Sequence, residues 1–321
     1  MEPWHFAYVA DIHVGTPRSY RFCEDWNRNW QTAREQIVDA APEFLIVGGD
    51  LTRDGATHRF ELERIQTDFD DMPFPVHAIP GNHETGNKVC NVPTSRPPDP
   101  SVAVQQAYLD LYASVFGASE WSFVHKDVRF SGFDGFLAGS SLAREQAFWD
   151  WMEAQVHAPR ARHHVWFLHA ALFADELHES NRDPAQDRTA WYFTVDEPHR
   201  SRMVRLFKDT GAELVVTGHI HCRRTVRAEG LTFAFAPATA FAQWGDRWPD
   251  GDPTLGWLDC TVDEGGVHPQ FVPLREAHTG GLRYGPGGNP PLEGRDYGAA
   301  AEHPPLDPDE ERFPSGKAQA R

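Results

Sequence analysis

Nothing in this 321-residue chain approaches the unbroken apolar run of about 20 residues that a membrane-crossing helix needs. Its start has no charged leader followed by an apolar stretch; Phe6-Ala7-Tyr8-Val9-Ala10 reads instead as a strand running into Asp11. Cysteine is scarce and unpaired in spacing. Cys23, Cys90, Cys222 and Cys260 are scattered, which in a chain of this length reads as free structural thiols rather than a disulfide frame. A cytoplasmic protein is the expectation. Positive charge is also short, with 30 Lys and Arg against 47 Asp and Glu and a formal net charge of −17. That balance argues against membrane surfaces and nucleic-acid polymers as partners, since both reward clustered cations. It leaves a phosphate-bearing small molecule open, because bound metal ions can dominate a local field.

What the chain does have is enough apolar material for a substantial core, 40% of its residues. Short runs at 6–10, 44–47, 76–79, 165–168 and 213–216 are continuously apolar, as expected for strands buried on both faces. Stretches of helical character lie at 28–40, 56–69, 102–115, 142–156 and 197–209. Around 121–135, 223–236 and 254–274 strands follow closely, with turn residues such as Glu229-Gly230 and Glu264-Gly265-Gly266 between them, which predicts hairpins. The expected fold is α/β layered: a mixed two-sheet β-sandwich flanked by helices. We expect one catalytic domain over 1–275 and a Gly/Pro/acidic tail over 276–321. Two loops, 91–101 and 172–197, are long enough to form lids or substrate walls.

Five short polar motifs each follow an apolar strand: Asp11-Ile12-His13, Gly48-Gly49-Asp50, Gly81-Asn82-His83-Glu84, His169, and Gly218-His219-Ile220-His221. Ligand sites of open α/β sheets gather at strand carboxyl ends, so these residues are expected to converge. Carboxylate, amide oxygen and imidazole suit Zn, Mn, Fe or Co better than a thiolate-loving ion. In Asp11-x-His13 and His219-x-His221 an extended backbone would put both side chains on one side. The glycines before Asp50, Asn82 and His219 allow a sharp turn and close approach.

This set resembles the calcineurin-like metallophosphoesterase superfamily, whose pattern runs D-x-H, G-D, G-N-H-[D/E], H, G-H-x-H; every element is present over roughly 6–275. One such motif arises by chance, but five in order after strands do not. The resemblance implies two divalent or mixed-valence metal ions, of Mn, Fe or Zn. Asp11, His13 and His221 would bind the first, Asn82, His169 and His219 the second, and Asp50 would bridge. His83 would be catalytic rather than a ligand, stabilising or protonating the leaving oxygen. The implied reaction is in-line attack on a phosphate ester by hydroxide held between the ions.

The bland reading applies to most of the seventeen histidines. His5, His58, His77, His125, His157, His163, His164, His178 and His199 are read as ordinary surface or core residues, and Cys222 as structural. Trp191 and Tyr192 are left open between packing and lining the pocket.

Membership does not name a substrate. The position three after the bridging Asp, Tyr in purple acid phosphatases, is Arg53 here. Protein Ser/Thr phosphatases carry G-D-x-V-D-R-G, whereas this chain reads Gly49-Asp50-Leu51-Thr52-Arg53-Asp54-Gly55. The exchange of Asp and Arg puts the usual Asp partner of the catalytic His in doubt. The Gly-Asp-Leu-Thr-x-Asp-Gly string looks most like the cyclic-nucleotide and glycerophosphodiester phosphodiesterase branch. A small-molecule phosphodiesterase is therefore the leading expectation. A phosphomonoesterase, including one acting on phosphoproteins, is the alternative, and a silent scaffold with the same fold is the reading from a different class.

Overall fold

The computed structural model describes residues 2–17, 19, 22–242 and 247–279; nearly all of the expected tail over 276–321 lies outside them. The first half comprises β1 (Trp4–Val9), α1 (Glu24–Ala40), β2 (Leu45–Gly48), α2 (Arg59–Asp70), β3 (Val76–Ile79) and the single turn α3 (Asn82–Thr85). Next come α4 (Gln106–Phe116), β4 (Trp121–His125), β5 (Val128–Phe133), α5 (Ala143–His157) and β6 (His163–Leu168). The chain continues with α6 (Arg188–Phe193), α7 (His199–Asp209) and β7 (Leu214–Thr217). Hairpins β8 (Arg224–Ala228) with β9 (Leu231–Phe235), and β10 (Gly256–Asp263) with β11 (Gly266–Pro273), complete it.

The expected two mixed sheets are present, ordered β11-β10-β1-β2-β3 and β4-β5-β6-β7-β9-β8. The central strands run parallel: β1, β2 and β3 in one sheet, and β5, β6, β7 and β9 in the other. The three expected hairpins supply three of the antiparallel pairs, and β1 with β10 makes the fourth.

Alternation along each strand explains the continuous apolarity. Phe6, Tyr8 and Ile46 face the other sheet, where they meet Phe130, Val165, Phe167 and Val216. Aromatic rings fill this interface: Phe6 stands edge-on to Phe130 at 5.1 Å, and Tyr8 stacks on Phe167 at 5.7 Å. The intervening residues Ala7, Val9, Leu45 and Val47 pack outward on Trp30, Ala33 and Ile37 of α1 and on Ile65 and Phe69 of α2. On the other side Trp166, Leu168 and Val215 pack on Phe148 and Met152 of α5 and on Met203 and Phe207 of α7. Both faces of both sheets are thus covered, giving helix, sheet, sheet, helix layers. Because central strands are parallel within each sheet, their carboxyl ends, and the motif loops that follow, open on one edge of the sandwich.

Two expectations shift in detail. Helix α1 begins earlier than 28, with Glu24 and Asp25 in its first turn where carboxylates favour the helix N-terminus. The 172–197 stretch is not wholly irregular: it contains α6, capped by the Asp187 carboxylate accepting from the Ala190 N–H at 3.0 Å.

Candidate metal centre

The motif residues do converge, but not by extended alternation. Asp11, His13, Asp50, His219 and His221 all have positive φ, between 43° and 73°, and make up half of the ten such non-glycine residues among those described. The left-handed conformation is sparsely populated by residues with a Cβ and persists only where surroundings enforce it. Here the loops brace one another: Asp11 N–H donates to Gly49 O at 3.1 Å, His13 N–H to Asp50 O at 3.0 Å, and Gly218 N–H to His169 O at 3.1 Å. The expectation that extended backbone aligns Asp11 with His13 and His219 with His221 is therefore corrected. They reach one place because each takes a left-handed turn.

The glycines earn their positions by proximity. Gly49 has φ +91°, and a Cβ there would lie 2.6 Å from His169 Nδ1. A Cβ on Gly81 would lie 2.2 Å from Asp50 Oδ1.

Two groups of metal-type side chains result: Asp11, His13, Asp50 and His221, and Asp50, His169 and His219, with one candidate ligand atom per residue within 4.8 Å of the others in its group. Asp50 belongs to both. His221 Nε2 lies 3.1 Å from Asp11 Oδ1, and His169 Nε2 lies 3.1 Å from Asp50 Oδ2. All six are buried, at most 2% exposed.

Three of the rings have one nitrogen held by main chain. His169 Nδ1–H donates to Gly48 O at 2.8 Å, His221 Nδ1–H to Phe241 O at 2.8 Å, and His219 Nε2–H to Tyr192 O at 3.3 Å. A carbonyl only accepts, so these contacts leave lone pairs on His169 Nε2, His221 Nε2 and His219 Nδ1.

The donor set fits cations. His13 Nε2 and His221 Nε2 face each other at 3.3 Å, close enough to share one cation, a proton or a metal ion. Asn82 Oδ1 is buried without a hydrogen-bond partner. Burial pulls the His169 imidazole down, but the Asp50 and Asp11 carboxylates outweigh it and push it up to about 9. Burial, with His83 and His221 against it, holds His13 well below its ordinary value; burial and His169 do the same for His219. The carboxylates call for positive charge while most of the surrounding imidazoles stay neutral, which is the condition for metal ligation.

His83 sits at the rim, its side chain 14% exposed and its Nε2 3.9 Å from Asp50 Oδ2. Its backbone N–H donates to Asp50 Oδ1 at 3.1 Å. Its partner is the carbonyl of Arg53, not a carboxylate; Asp54 lies behind, with Oδ1 3.9 Å from Arg53 Nη1.

Sequence reasoning undervalued two residues. Glu84 accepts from Thr52 N–H at 2.9 Å, Thr52 Oγ1–H at 2.7 Å and Gly81 N–H at 2.9 Å, so one buried carboxylate ties the Asp50 loop to the Asn82 turn. Its place three residues after Gly81, able to reach back to that N–H, was the available signal. Of the pair left open, Tyr192 stands over the centre, its ring 5.1 Å from that of His219, whereas Trp191 is buried beneath the Lys88 ammonium. Several of the histidines read as ordinary have ordinary partners, such as Asp259 for His5, Glu43 for His125 and Ser131 for His164. All four cysteines are free, and Cys222 is buried in a core cluster. Among the described residues no helix is long and apolar enough to cross a membrane.

Fold and site together define a phosphoester hydrolase of the metal-dependent kind. Residues 5–223 match the model of the calcineurin-like phosphoesterase family, and the chain belongs to that family. A curated relative, the serine/threonine-protein phosphatase CPPED1 of Danio rerio, is 24% identical over 262 residues, covering 76% of this chain and 78% of the relative. Among solved structures, a purple acid phosphatase PPD1 from yellow lupin seeds superposes with TM-score 0.57 at 12% identity, covering 87% of this chain and 53% of that one. GAP50, the anchor in the inner membrane complex of Plasmodium, superposes with TM-score 0.56 at 12% identity, covering 88% and 90%. At such identity these structures share the fold alone, and one is a phosphatase and the other an anchor.

Proposed function

We propose that this chain hydrolyses phosphate esters at a two-cation centre, with a preference for monoesters. The observation that carries the two-cation reading is Asp50, whose carboxylate belongs to both groups of metal-type side chains. In this reading Asp11, His13 and His221 hold one ion, Asn82, His169 and His219 the other, and Asp50 both. Two bound divalent ions would supply Lewis acidity for the phosphate oxygens and a water acidic enough to attack near neutral pH. Glu84 keeps Asp50 and Asn82 in register. His83, its Nδ1–H fixed on the Arg53 carbonyl, presents Nε2 at the rim to hold or pass a proton at the leaving oxygen.

Two observations support a monoester. The Arg53 guanidinium is buried within 3.0 Å of His83 Nδ1, and the extra positive field suits a dianionic phosphate. The curated relative is named a protein phosphatase. The diester reading rests on the Gly49–Gly55 string and is the second choice. The net charge of −17 disfavours a nucleic-acid polymer, and four free thiols fit a reducing compartment such as the cytoplasm.

The test is turnover of p-nitrophenyl phosphate and bis(p-nitrophenyl) phosphate side by side, with manganese and with a chelator. Faster chelator-sensitive monoester turnover is expected. Faster diester turnover overturns the monoester preference, and chelator-resistant turnover overturns the two-cation reading.

A further inference from the structure

Tyr192 touches two of the residues read as second-site ligands, through two different parts of itself. Its phenol oxygen accepts from Asn82 Nδ2 at 2.9 Å, and its backbone carbonyl accepts from His219 Nε2 at 3.3 Å. An amide has a donor end and an acceptor end, and pinning the donor end decides which atom is presented elsewhere. Asn82 Oδ1, buried and without a hydrogen-bond partner, is the atom so presented. The carbonyl contact decides the His219 tautomer in the same way, leaving the lone pair on Nδ1.

The segment carrying Tyr192 is itself anchored. Asn87 Nδ2 donates to the same carbonyl at 3.3 Å. The Lys88 ammonium pairs with Asp196 at 2.7 Å and lies 5.1 Å over the Trp191 ring. Ala171 N–H donates to Phe193 O at 3.1 Å, and Val195 N–H to Ala171 O at 3.0 Å, tying both ends of the segment to the loop after His169. The first group has no such dependence on α6: His221 leans on Phe241, and the shared Asp50 accepts from the His83 N–H.

We infer that Tyr192 is a positioning residue that sets the second cation site alone, orienting Asn82 by its phenol and His219 by its carbonyl. The inference rests on the reading of Asn82 and His219 as ligands. It gives the 172–197 insertion a definite task, since α6 completes one half of the centre from outside the five motifs.

The test is calorimetric Mn²⁺ titration of the chelator-stripped full chain, with metal content counted by elemental analysis. Wild type is expected to bind two ions per chain. Tyr192→Phe keeps the carbonyl and loses the phenol oxygen; it should weaken one binding step about 10- to 100-fold and leave the other unchanged. Adding Asn82→Asp should restore most of that loss, because a carboxylate presents an oxygen at either end and needs no orienting partner. Wild-type binding in Tyr192→Phe, equal weakening of both steps, or failure of the Asn82→Asp rescue would each overturn the inference while leaving the two-cation reading intact. A wild type that binds no Mn²⁺ would overturn both.

Discussion

His83 Nδ1 lies 2.5 Å from the backbone carbonyl oxygen of Arg53 and 3.0 Å from the Nη1 of the same residue. The carbonyl asks for a proton on Nδ1 and the guanidinium for a lone pair; the shorter contact, to the carbonyl, puts the proton on Nδ1, and the guanidinium then acts on the ring through its charge alone. Arg53 therefore orients the ring with its main chain and adds charge with its side chain. The exchange of Asp and Arg in the Gly49–Gly55 string moves the orienting task from a carboxylate to the backbone, where side-chain substitution does not reach it.

That division makes a graded prediction. His83→Ala should keep both metal ions and lose about 10²- to 10⁴-fold in kcat, the usual worth of a positioned proton donor. Arg53→Met keeps the carbonyl and should cost kcat much less, with its larger effect on KM for a dianionic substrate. Metal content and steady-state kinetics of the two variants decide it. An Arg53→Met loss in kcat as large as that of His83→Ala would show that the side chain, not the carbonyl, does the orienting.

Asp50→Ala should behave differently from any other ligand substitution. Its carboxylate lies 3.1 Å from His169 Nε2 and 3.6 Å from His13 Nε2, so its removal opens both groups at once. We expect fewer than one ion per chain and activity near background. His221→Ala, by contrast, should spare the second group. Elemental analysis after manganese loading separates them; two ions retained in Asp50→Ala would disprove its bridging place.

The layered architecture and the five motifs were legible because each rests on a local pattern: apolar runs for strands, turn residues for hairpins, and His, Asp and Asn following strands. The route by which Asp11 and His13 converge was not, because a left-handed φ of 55° or 43° at a residue with a Cβ is imposed by neighbouring loops. The carbonyls of Gly48, Tyr192, Phe241 and Arg53 were also invisible, since every residue has a carbonyl and only the fold decides which one meets an imidazole. Tyr192 stayed ambiguous for the same reason: nothing in Trp191-Tyr192 tells which ring will turn to the centre.

Gly49→Ala tests the crowding behind the centre. A methyl group there would press within 2.6 Å of His169 Nδ1 and Cβ would sit at φ +91°, so both space and backbone oppose it. We expect a fall in thermal stability together with loss of metal binding, because the ring can yield only by breaking its 2.8 Å bond to Gly48 O. Thermal unfolding and manganese titration of the purified variant check this. A variant with unchanged stability and affinity would mean that the Gly49 loop gives way freely.

Asp134, outside both groups of metal-type side chains, carries a pH dependence of its own. Its carboxylate accepts from Phe136 N–H at 2.9 Å, and burial pushes its carboxyl up to about 7 against hydrogen bonds from Thr85 and Phe136 that pull it down. An acid whose pKa is raised on folding favours the folded state at low pH, and this contribution fades as pH rises from the unfolded value of about 3.9 through the folded one. Asp134→Asn keeps an acceptor oxygen and removes the charge. It should therefore gain in stability over wild type as pH goes from 4 to 8, by up to a few kcal/mol at about 1.4 kcal/mol per pKa unit. Denaturant unfolding of both proteins at three pH values measures the difference. A stability gap that stays flat across that range would mean that Asp134 is ionised in the folded protein at low pH too, and that the Thr85 and Phe136 donors outweigh its burial.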